Sequence, residues 1–361
     1  MPEPYGTAGP RASVRDRMAL GRRGFLALLG LVAGAGALVP LLGRAGRTLG
    51  TVRASGAGGA VGAGNARMAG GLVRLEASRP LLGTWVRVVV RDCESGGAAR
   101  AIEDAFAAIR RVDAQMSIHR VDSQLARVNA AAGRGALTVD PAVLEVVARA
   151  VEGARRTGGV YDPTVLPLMR LYGFYDSGRT RLPSESEIAR TLELVSTQHV
   201  LLDPGARTLG LARQGAALDL GSIGKGWALD RAVDALRAAG VRSGLVDVGG
   251  NVYGLGAPDE GAEGWSVGVF HPVAGSLERV FLLRDSAVAT SSNTEQTRVL
   301  GSLRVGHLFD ARHGRPANGH LSASVQAATG VASDELSTIA FLLGPDRFRG
   351  WPEALSYHFV G

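Results

Sequence analysis

Asp219-Leu220-Gly221-Ser222-Ile223-Gly224-Lys225-Gly226, running into Trp227, is the stretch on which the reading of this chain turns. Ala217–Leu220 before it reads as a short strand, and Trp227–Ala239 after it carries Leu229, Val233 and Leu236 at helical spacing. Glycines at 221, 224 and 226 let backbone N–H groups approach a ligand at a strand-to-helix junction. The helix N-terminus adds partial positive charge there. Lys225 adds a full charge, and it is the only lysine among 40 basic residues. Such a nest suits a phosphate or pyrophosphate. It is not a P-loop, which would need glycine at Asp219 and serine or threonine at Gly226. The bland alternative is a tight turn with an exposed lysine.

Outward from this junction the chain mixes both kinds of element. Thr84–Val90 alternates and is β-branched, so it reads as a strand. Ala98–Met116 repeats Ile102, Phe106, Ile109 and Val112 on one helix face, and Val143–Arg155 reads as a second helix. Ser117–Asp122 and Gly158–Gly173 read as loops, and His199–Leu202 and Thr208–Leu211 as short strands. Downstream come short β segments at Leu245–Val248, Val252–Leu255, Trp265–Phe270, Val280–Leu283, Ala287–Thr290, Val305–Phe309 and Ser324–Thr329. A last helix contains Ser337–Leu343. Strands in runs with helices inserted imply an α+β fold. Residues 75–361 show no repeat and no internal linker, so they read as one domain.

Composition narrows the function classes. The 361 residues are 46% apolar, enough for a sizeable core, and the single cysteine, Cys93, excludes a disulfide framework or a Cys-rich metal site. The net charge of +7 suggests a nucleic-acid binder at first. Residues 1–80, however, hold 11 arginines against 3 acidic residues, and the remaining 29 basic residues face 30 acidic ones. The body therefore offers no basic surface for nucleic acid. The excess lies in a leader: Arg22-Arg23, then Gly24-Phe25-Leu26 and an apolar run through Leu42. That is the pattern of a twin-arginine export signal, although a run of about 18 residues also reaches the lower limit for a membrane span. Residues 1–45 are thus expected to be an export signal or N-terminal anchor, and 46–74 a Gly/Ala-rich linker. Residues 75–361 would be the domain on the periplasmic or extracytoplasmic side, touching membrane only through an uncleaved leader.

Further candidates for chemistry are modest one by one. Asp334 and Thr338 in Ser333-Asp334-Glu335-Leu336-Ser337-Thr338 share a face if a helix starts there. Carboxylate plus hydroxyl, completed by carbonyl and phosphate oxygens, suits Mg²⁺; a plain helix cap at Asp334 is the other reading. His307 heads the run His307-Leu308-Phe309-Asp310-Ala311-Arg312-His313-Gly314-Arg315-Pro316, where a base could meet a ligand at a strand end. Gly158-Gly159-Val160-Tyr161-Asp162-Pro163-Thr164-Val165 could stack on a planar ring while Asp162 orients a polar edge. Asp247-Val248-Gly249-Gly250-Asn251 reads equally well as a hairpin turn. No G-x-S-x-G elbow and no G-x-G-x-x-G after a strand occurs, so neither nucleophilic hydrolysis nor a Rossmann site is supported.

In order and spacing, however, these motifs resemble the ApbE family of FAD:protein FMN transferases. The resemblance runs from Leu82-Gly83-Thr84 through Met116–Ser123, the Tyr161–Val165 loop, Asp219–Gly226 with Asp230, Leu245–Gly250, Ala287–Ser291 and His307–Pro316 to Asp334–Gly344. It implies an α+β fold around a central FAD site and transfer of the FMN half of FAD to a threonine or serine hydroxyl of an acceptor protein. AMP would be released, with Mg²⁺ assisting. By position, Asp334, Thr338 and the backbone carbonyl of Ser222 would ligate the metal. His119, Val160, Tyr161, Asp162, Asp219, Lys225 and His307 would line FAD, and His307 would serve as base. Three positions depart from the family's pattern. His119 stands where an aromatic Tyr or Phe is usual, and Ala311 replaces a proline, which would loosen that turn. Thr290-Ser291-Ser292-Asn293-Thr294-Glu295 lacks a glycine after its first serine. An Mg²⁺-dependent FAD pyrophosphatase, or an extracytoplasmic FAD-binding protein without turnover, would use the same residues.

Overall fold

The computed structural model describes residues 73–361 apart from positions 94, 176, 177 and 295, together with the strand segments Val39–Leu41 and Ala66–Arg67. The expected leader and linker otherwise lie outside the described residues. Among the described residues no helix is long and apolar enough to cross a membrane.

Valines 86, 88 and 90 lie on one face of their strand and Val89 on the other, and all four are buried. That strand therefore belongs to a sheet covered on both sides. The sheet has eight strands: β1 (Ala66–Arg67), β2 (Val73–Leu81), β3 (Thr84–Cys93), β4 (Ser243–Val248), β5 (Asn251–Leu255), β6 (Ser286–Ser292), β7 (Ser322–Ala327) and β8 (Ala354–Val360). Their order in space follows their order in the chain, and every neighbouring pair is antiparallel. Apart from Val39–Leu41, which pairs with Trp265–Phe270, the remaining elements are insertions between consecutive strands. Between β3 and β4 come α1 (Ser95–Met116), α2 (Gln124–Ala130), α3 (Pro141–Thr157), α4 (Leu166–Leu171), α5 (Glu185–Leu192) and α6 (Gly224–Ala238). A three-stranded sheet of Ala136–Thr138, Thr208–Leu211 and Val200–Asp203 is threaded among them. Helix α7 (Gly330–Phe348) returns from β7 to β8.

Period-two alternation sorts the side chains into two layers. Val86, Val88, Val90, Val246, Val248, Tyr253 and Ala287 face α1, α6 and α7 in the main core. Val89, Leu245, Val252 and Val288 face the hairpin Trp265–Phe270/Leu277–Leu283, packing on Trp265, Val267 and Phe281. The α+β class is as expected. The Asp247–Asn251 motif is a hairpin turn: Gly249 and Gly250 take φ of 59° and 91° between the paired Val248 and Asn251. Two positive φ values in a two-residue loop favour glycine at both places. Elements not expected from the sequence include β2, α2, the strand Ala136–Thr138, α5 and β8, although α5 announces itself with a Ser184/Glu187 capping box; α4 forms within Gly158–Gly173, expected to be a loop, with Pro167 in its first turn.

Candidate functional site

The site grows from the crossing of α6 and α7. A Cβ added at Gly226 would strike the carbonyl of Gly330 and the Cβ of Asp334, and one at Gly330 would meet the Gly226 carbonyl. Backbone therefore lies on backbone, and each helix caps the other. Asp334 Oδ2 accepts from Gly226 N at 2.8 Å, while the Asp230 carboxylate accepts from Gly330 N at 2.6 Å and Val331 N at 2.9 Å. Helix α6 has no side-chain cap from its own sequence, so Asp334 supplies one from 108 residues away. Asp334 does not cap its own helix. Thr329 does that, its side chain accepting from Ala332 N, and Asp334 sits in the second turn. Gly226 thus serves helix contact, while a Cβ at Gly224 would meet open space.

Lys225 reaches back over this crossing. Its Nζ donates to the Gly221 carbonyl at 3.1 Å and stands 3.5 Å from Asp334 Oδ1. Thr338, one turn beyond Asp334, shares a hydrogen bond with Ser291 Oγ at 3.0 Å, and Ser291 also meets Ser337 Oγ at 2.8 Å. Asp334 and Thr338 are 3% and 5% exposed. The Gly221 carbonyl and the Asp334 carboxylate thus already converge on a positive charge. They are hard donors with one carboxylate, and among the described residues no cluster of three or more His, Cys, Asp or Glu could hold a metal. A site with one carboxylate, neutral oxygens and room for phosphate oxygens fits Mg²⁺, which seldom uses an all-protein cage. The residues present fit the ion implied by the sequence.

Tyr161 enters from α3. Gly158 ends that helix in a left-handed conformation, and Gly159 N bonds back to Ala154 O at 2.9 Å. The chain then turns so that the buried Tyr161 hydroxyl accepts from Ser222 Oγ at 3.1 Å. Burial, with the Glu335 carboxylate nearby, pushes that phenol well above its ordinary range, so it stays neutral. Glu335 is itself buried beneath α3, paired with Arg149 Nε at 2.7 Å, and burial lifts it to about 7 against the opposing pull of Arg149. A Cβ at Gly153 would collide with the Glu335 carboxylate, so that glycine admits the pair.

His307 approaches from the other side. Its Nδ1 is buried without a partner, and burial together with the Lys225 charge lowers the imidazole to about 4. The neutral imidazole is therefore present across the physiological range. Asn293 holds the segment in place: its Oδ1 accepts from Leu308 N at 3.0 Å and its Nδ2 donates to Ala317 O at 2.6 Å. Gly306 leaves room for that side chain. Phe174 packs edge-on to the imidazole, ring centroids 6.5 Å apart.

The other expected residues divide. Asp219 Oδ1 accepts from Gly221 N at 2.7 Å and Oδ2 accepts from the Tyr175 hydroxyl at 2.8 Å; the Tyr175 ring lies edge-on to His119 at 5.4 Å. Asp219, Lys225 and Asp334 are therefore linked through the Gly221 turn, Tyr161 holds the adjacent Ser222, Thr338 lies one turn beyond Asp334, His307 faces the Lys225 charge, and His119 joins through Tyr175. Asp162 is not part of this cluster. Its Oδ1 accepts from Thr164 N and Oγ1 at 2.7 and 2.6 Å, and it lines a separate cleft of about 310 Å³ with Gly158, Gly159, Thr197 and Arg312. Val160 is fully buried, its carbonyl accepting from Ala311 N at 3.1 Å.

That last bond corrects one expectation. Ala311 does not loosen its turn, because its N–H, which proline lacks, ties the His307–Pro316 run to the Tyr161 loop. A second correction concerns Ala217–Leu220, which is extended but joins no sheet. Its ladder partner is a side chain: Asn129 Nδ2 donates to Leu218 O and Oδ1 accepts from Leu218 N, both at 2.8 Å. Val305–Phe309 is likewise broken, with Leu303–Gly306 and Phe309–Asp310 in separate ribbons on either side of His307. Asn129, Tyr175, Asn293 and Glu335 were not singled out in the sequence. Asn293 and Glu335 lay within quoted motifs but were given no role, Tyr175 directly follows Phe174, and Asn129 carried no signal.

The sequence profile of the ApbE family matches residues 82–358. The chain belongs to the ApbE family. An FAD:protein FMN transferase of Treponema pallidum is 30% identical over 74% of this chain and 78% of its own length. One from Rhodobacter capsulatus is 32% identical over 63% of this chain, which spans only 43% of that protein. Among solved structures, the ApbE protein of Thermotoga maritima superposes with a TM-score of 0.71 at 28% identity, covering 79% of this chain and 94% of that one. The Pseudomonas stutzeri flavinyl transferase ApbE, in its apo form, gives 0.67 at 28% identity over 76% and 86%. The α+β architecture is therefore that of ApbE flavin transferases.

Proposed function

We propose that this chain is an FAD:protein FMN transferase that moves the FMN half of FAD onto a Thr or Ser hydroxyl of an exported acceptor protein and releases AMP. The observation that carries the reading is the Lys225 ammonium held between the Gly221 carbonyl and the Asp334 carboxylate, with His307 facing the same lysine. The acceptor oxygen attacks the phosphorus of the FMN half, the bond to the AMP oxygen breaks, and AMP leaves. Phosphoryl transfer of this kind depends on positioning and charge neutralisation more than on covalent help. Asp334, Thr338 and the Ser222 carbonyl would hold Mg²⁺, which when bound supplies neutralisation of charge growing on the pyrophosphate. Lys225 holds phosphate oxygens. Neutral His307 takes the proton from the attacking hydroxyl. Tyr161, neutral and anchored on Ser222, fixes the loop that carries the carbonyl ligand.

The leader supports export by the twin-arginine route, which puts the reaction on the extracytoplasmic face. The full chain incubated with FAD, Mg²⁺ and a candidate acceptor should leave a flavin-fluorescent acceptor band on a denaturing gel, together with one AMP per label. AMP and free FMN without a labelled acceptor would replace the transferase by a pyrophosphatase. FAD bound but uncleaved would leave a binding protein.

A further inference from the structure

Glu335 is a buried carboxylate, 3% exposed, to which the chemistry above gives no part. It directly follows Asp334 on α7, and successive helix residues point about 100° apart. The Asp334 carboxylate therefore turns to α6 while that of Glu335 turns to α3. There Glu335 Oε2 pairs with Arg149 Nε at 2.7 Å, and Gly153 lies one turn beyond Arg149 on the same face of α3. A Cβ at Gly153 would strike Glu335 Oε1 and come within 3.1 Å of Tyr161 Cε1, so carboxylate and ring share the space that the glycine leaves. The same ring ends in the hydroxyl that accepts from Ser222 Oγ at 3.1 Å. Packed atoms thus run from α7 through Glu335 and Tyr161 to the Ser222 turn.

Stability alone does not account for this pair. Apolar side chains of similar volume replace a buried ion pair without loss in well-studied cases, because the charges must first give up their water. Helix α3 also has a tie of its own to the chain beyond α7: Arg156 forks onto Glu353 at 2.8 and 3.0 Å and lies over the Trp351 ring at 4.5 Å. Resting on the Mg²⁺ reading above, we propose that Arg149 and Glu335 are positioning residues for the metal site, a strut that seats the Tyr161 ring and so keeps the Ser222 turn in register with Asp334. Neither residue touches substrate or metal. What a salt bridge supplies here and an apolar contact does not is direction: its hydrogen bond fixes where the carboxylate lies against the ring.

Mn²⁺, titrated into the full chain saturated with ADP and followed by the electron paramagnetic resonance of the free ion, reads the site without turnover. The double variant Arg149→Met/Glu335→Leu should melt no lower than wild type. It should nevertheless bind Mn²⁺ about 3- to 10-fold more weakly, less than the loss of a group bonded directly to a metal ligand brings. Glu335→Ala, which leaves Arg149 free to turn to water, should show the same loss. Glu335→Gln keeps an oxygen for Arg149 Nε and should recover most of the affinity. Arg156→Met, which cuts the outer tie, should bind Mn²⁺ as wild type does. Wild-type Mn²⁺ affinity in Glu335→Ala or in the double variant would overturn the strut, and so would an equal loss in Arg156→Met. A wild-type chain that bound no Mn²⁺ beside ADP would instead overturn the metal reading on which the strut rests.

Discussion

Asp334 carries two roles that substitution can separate. Its Oδ2 caps α6 through Gly226 N, and its Oδ1 faces Lys225 where the metal is proposed to sit. Asp334→Ala leaves a buried amide without a partner, which costs about 1–3 kcal/mol. Removing a negative charge from the N-terminus of α6 adds about 0.3–1 kcal/mol. The sum is about 1.3–4 kcal/mol, or a melting point roughly 2–7 °C lower for a domain of this size. Asp334→Asn keeps an oxygen for Gly226 and should lose less than half of that. Both variants lose the anionic ligand, and turnover should fall on the order of 10³-fold in each, since a metal's charge stabilisation is worth several kcal/mol. Thermal denaturation and AMP release, measured on both variants, check the two roles independently. An Asn variant with Mg²⁺-dependent turnover within about tenfold of wild type would refute the metal assignment. Equal melting points for Ala and Asn would refute the cap.

Further outcomes follow from the same geometry. His307 is neutral until pH falls through about 4, so kcat/KM, which reports the free enzyme, should hold down to about pH 5 and show no inflection near 6.5. His307→Gln should cut transfer by about 10²–10⁴-fold with FAD affinity nearly unchanged. Lys225→Met should weaken FAD binding about tenfold through the loss of one charge-assisted phosphate contact, and an unchanged Kd would make the lysine incidental. The same variant removes the charge that depresses His307, so its acid limb should move upward. Asn293→Ala frees Leu308 N and Ala317 O and should lower kcat about tenfold with KM for FAD kept, as expected for a small misplacement of the base. A rise in KM for FAD alongside the fall in kcat would make Asn293 merely structural.

Some of the site was legible without coordinates because its signals are local. The helical spacing of α1, α3 and α6, the alternation of the sheet strands and the Gly249-Gly250 turn each reflect backbone preferences within a few residues. So does the Asp219–Gly226 junction, with the only lysine at its end. The charge split between leader and body needed only counting. Asp334 and Thr338 could be placed on one helix face from their spacing of four.

What each of those residues does was settled by packing between distant segments. Nothing near Gly226 says that it lies against Gly330, or that Asp334 caps a helix other than its own. Asn129 standing in for a strand, Asn293 clamping the His307 segment and Tyr175 bonding Asp219 join residues 89, 24 and 44 positions apart. An amide or hydroxyl shows the same chemistry in any sequence, and only the fold selects its partner. The sequence by itself determined the class of the fold and the likeness to flavin transferases. The crossing of α6 and α7 decided where charge gathers, because two helix N-termini, the Asp230 and Asp334 carboxylates and Lys225 share one small volume there.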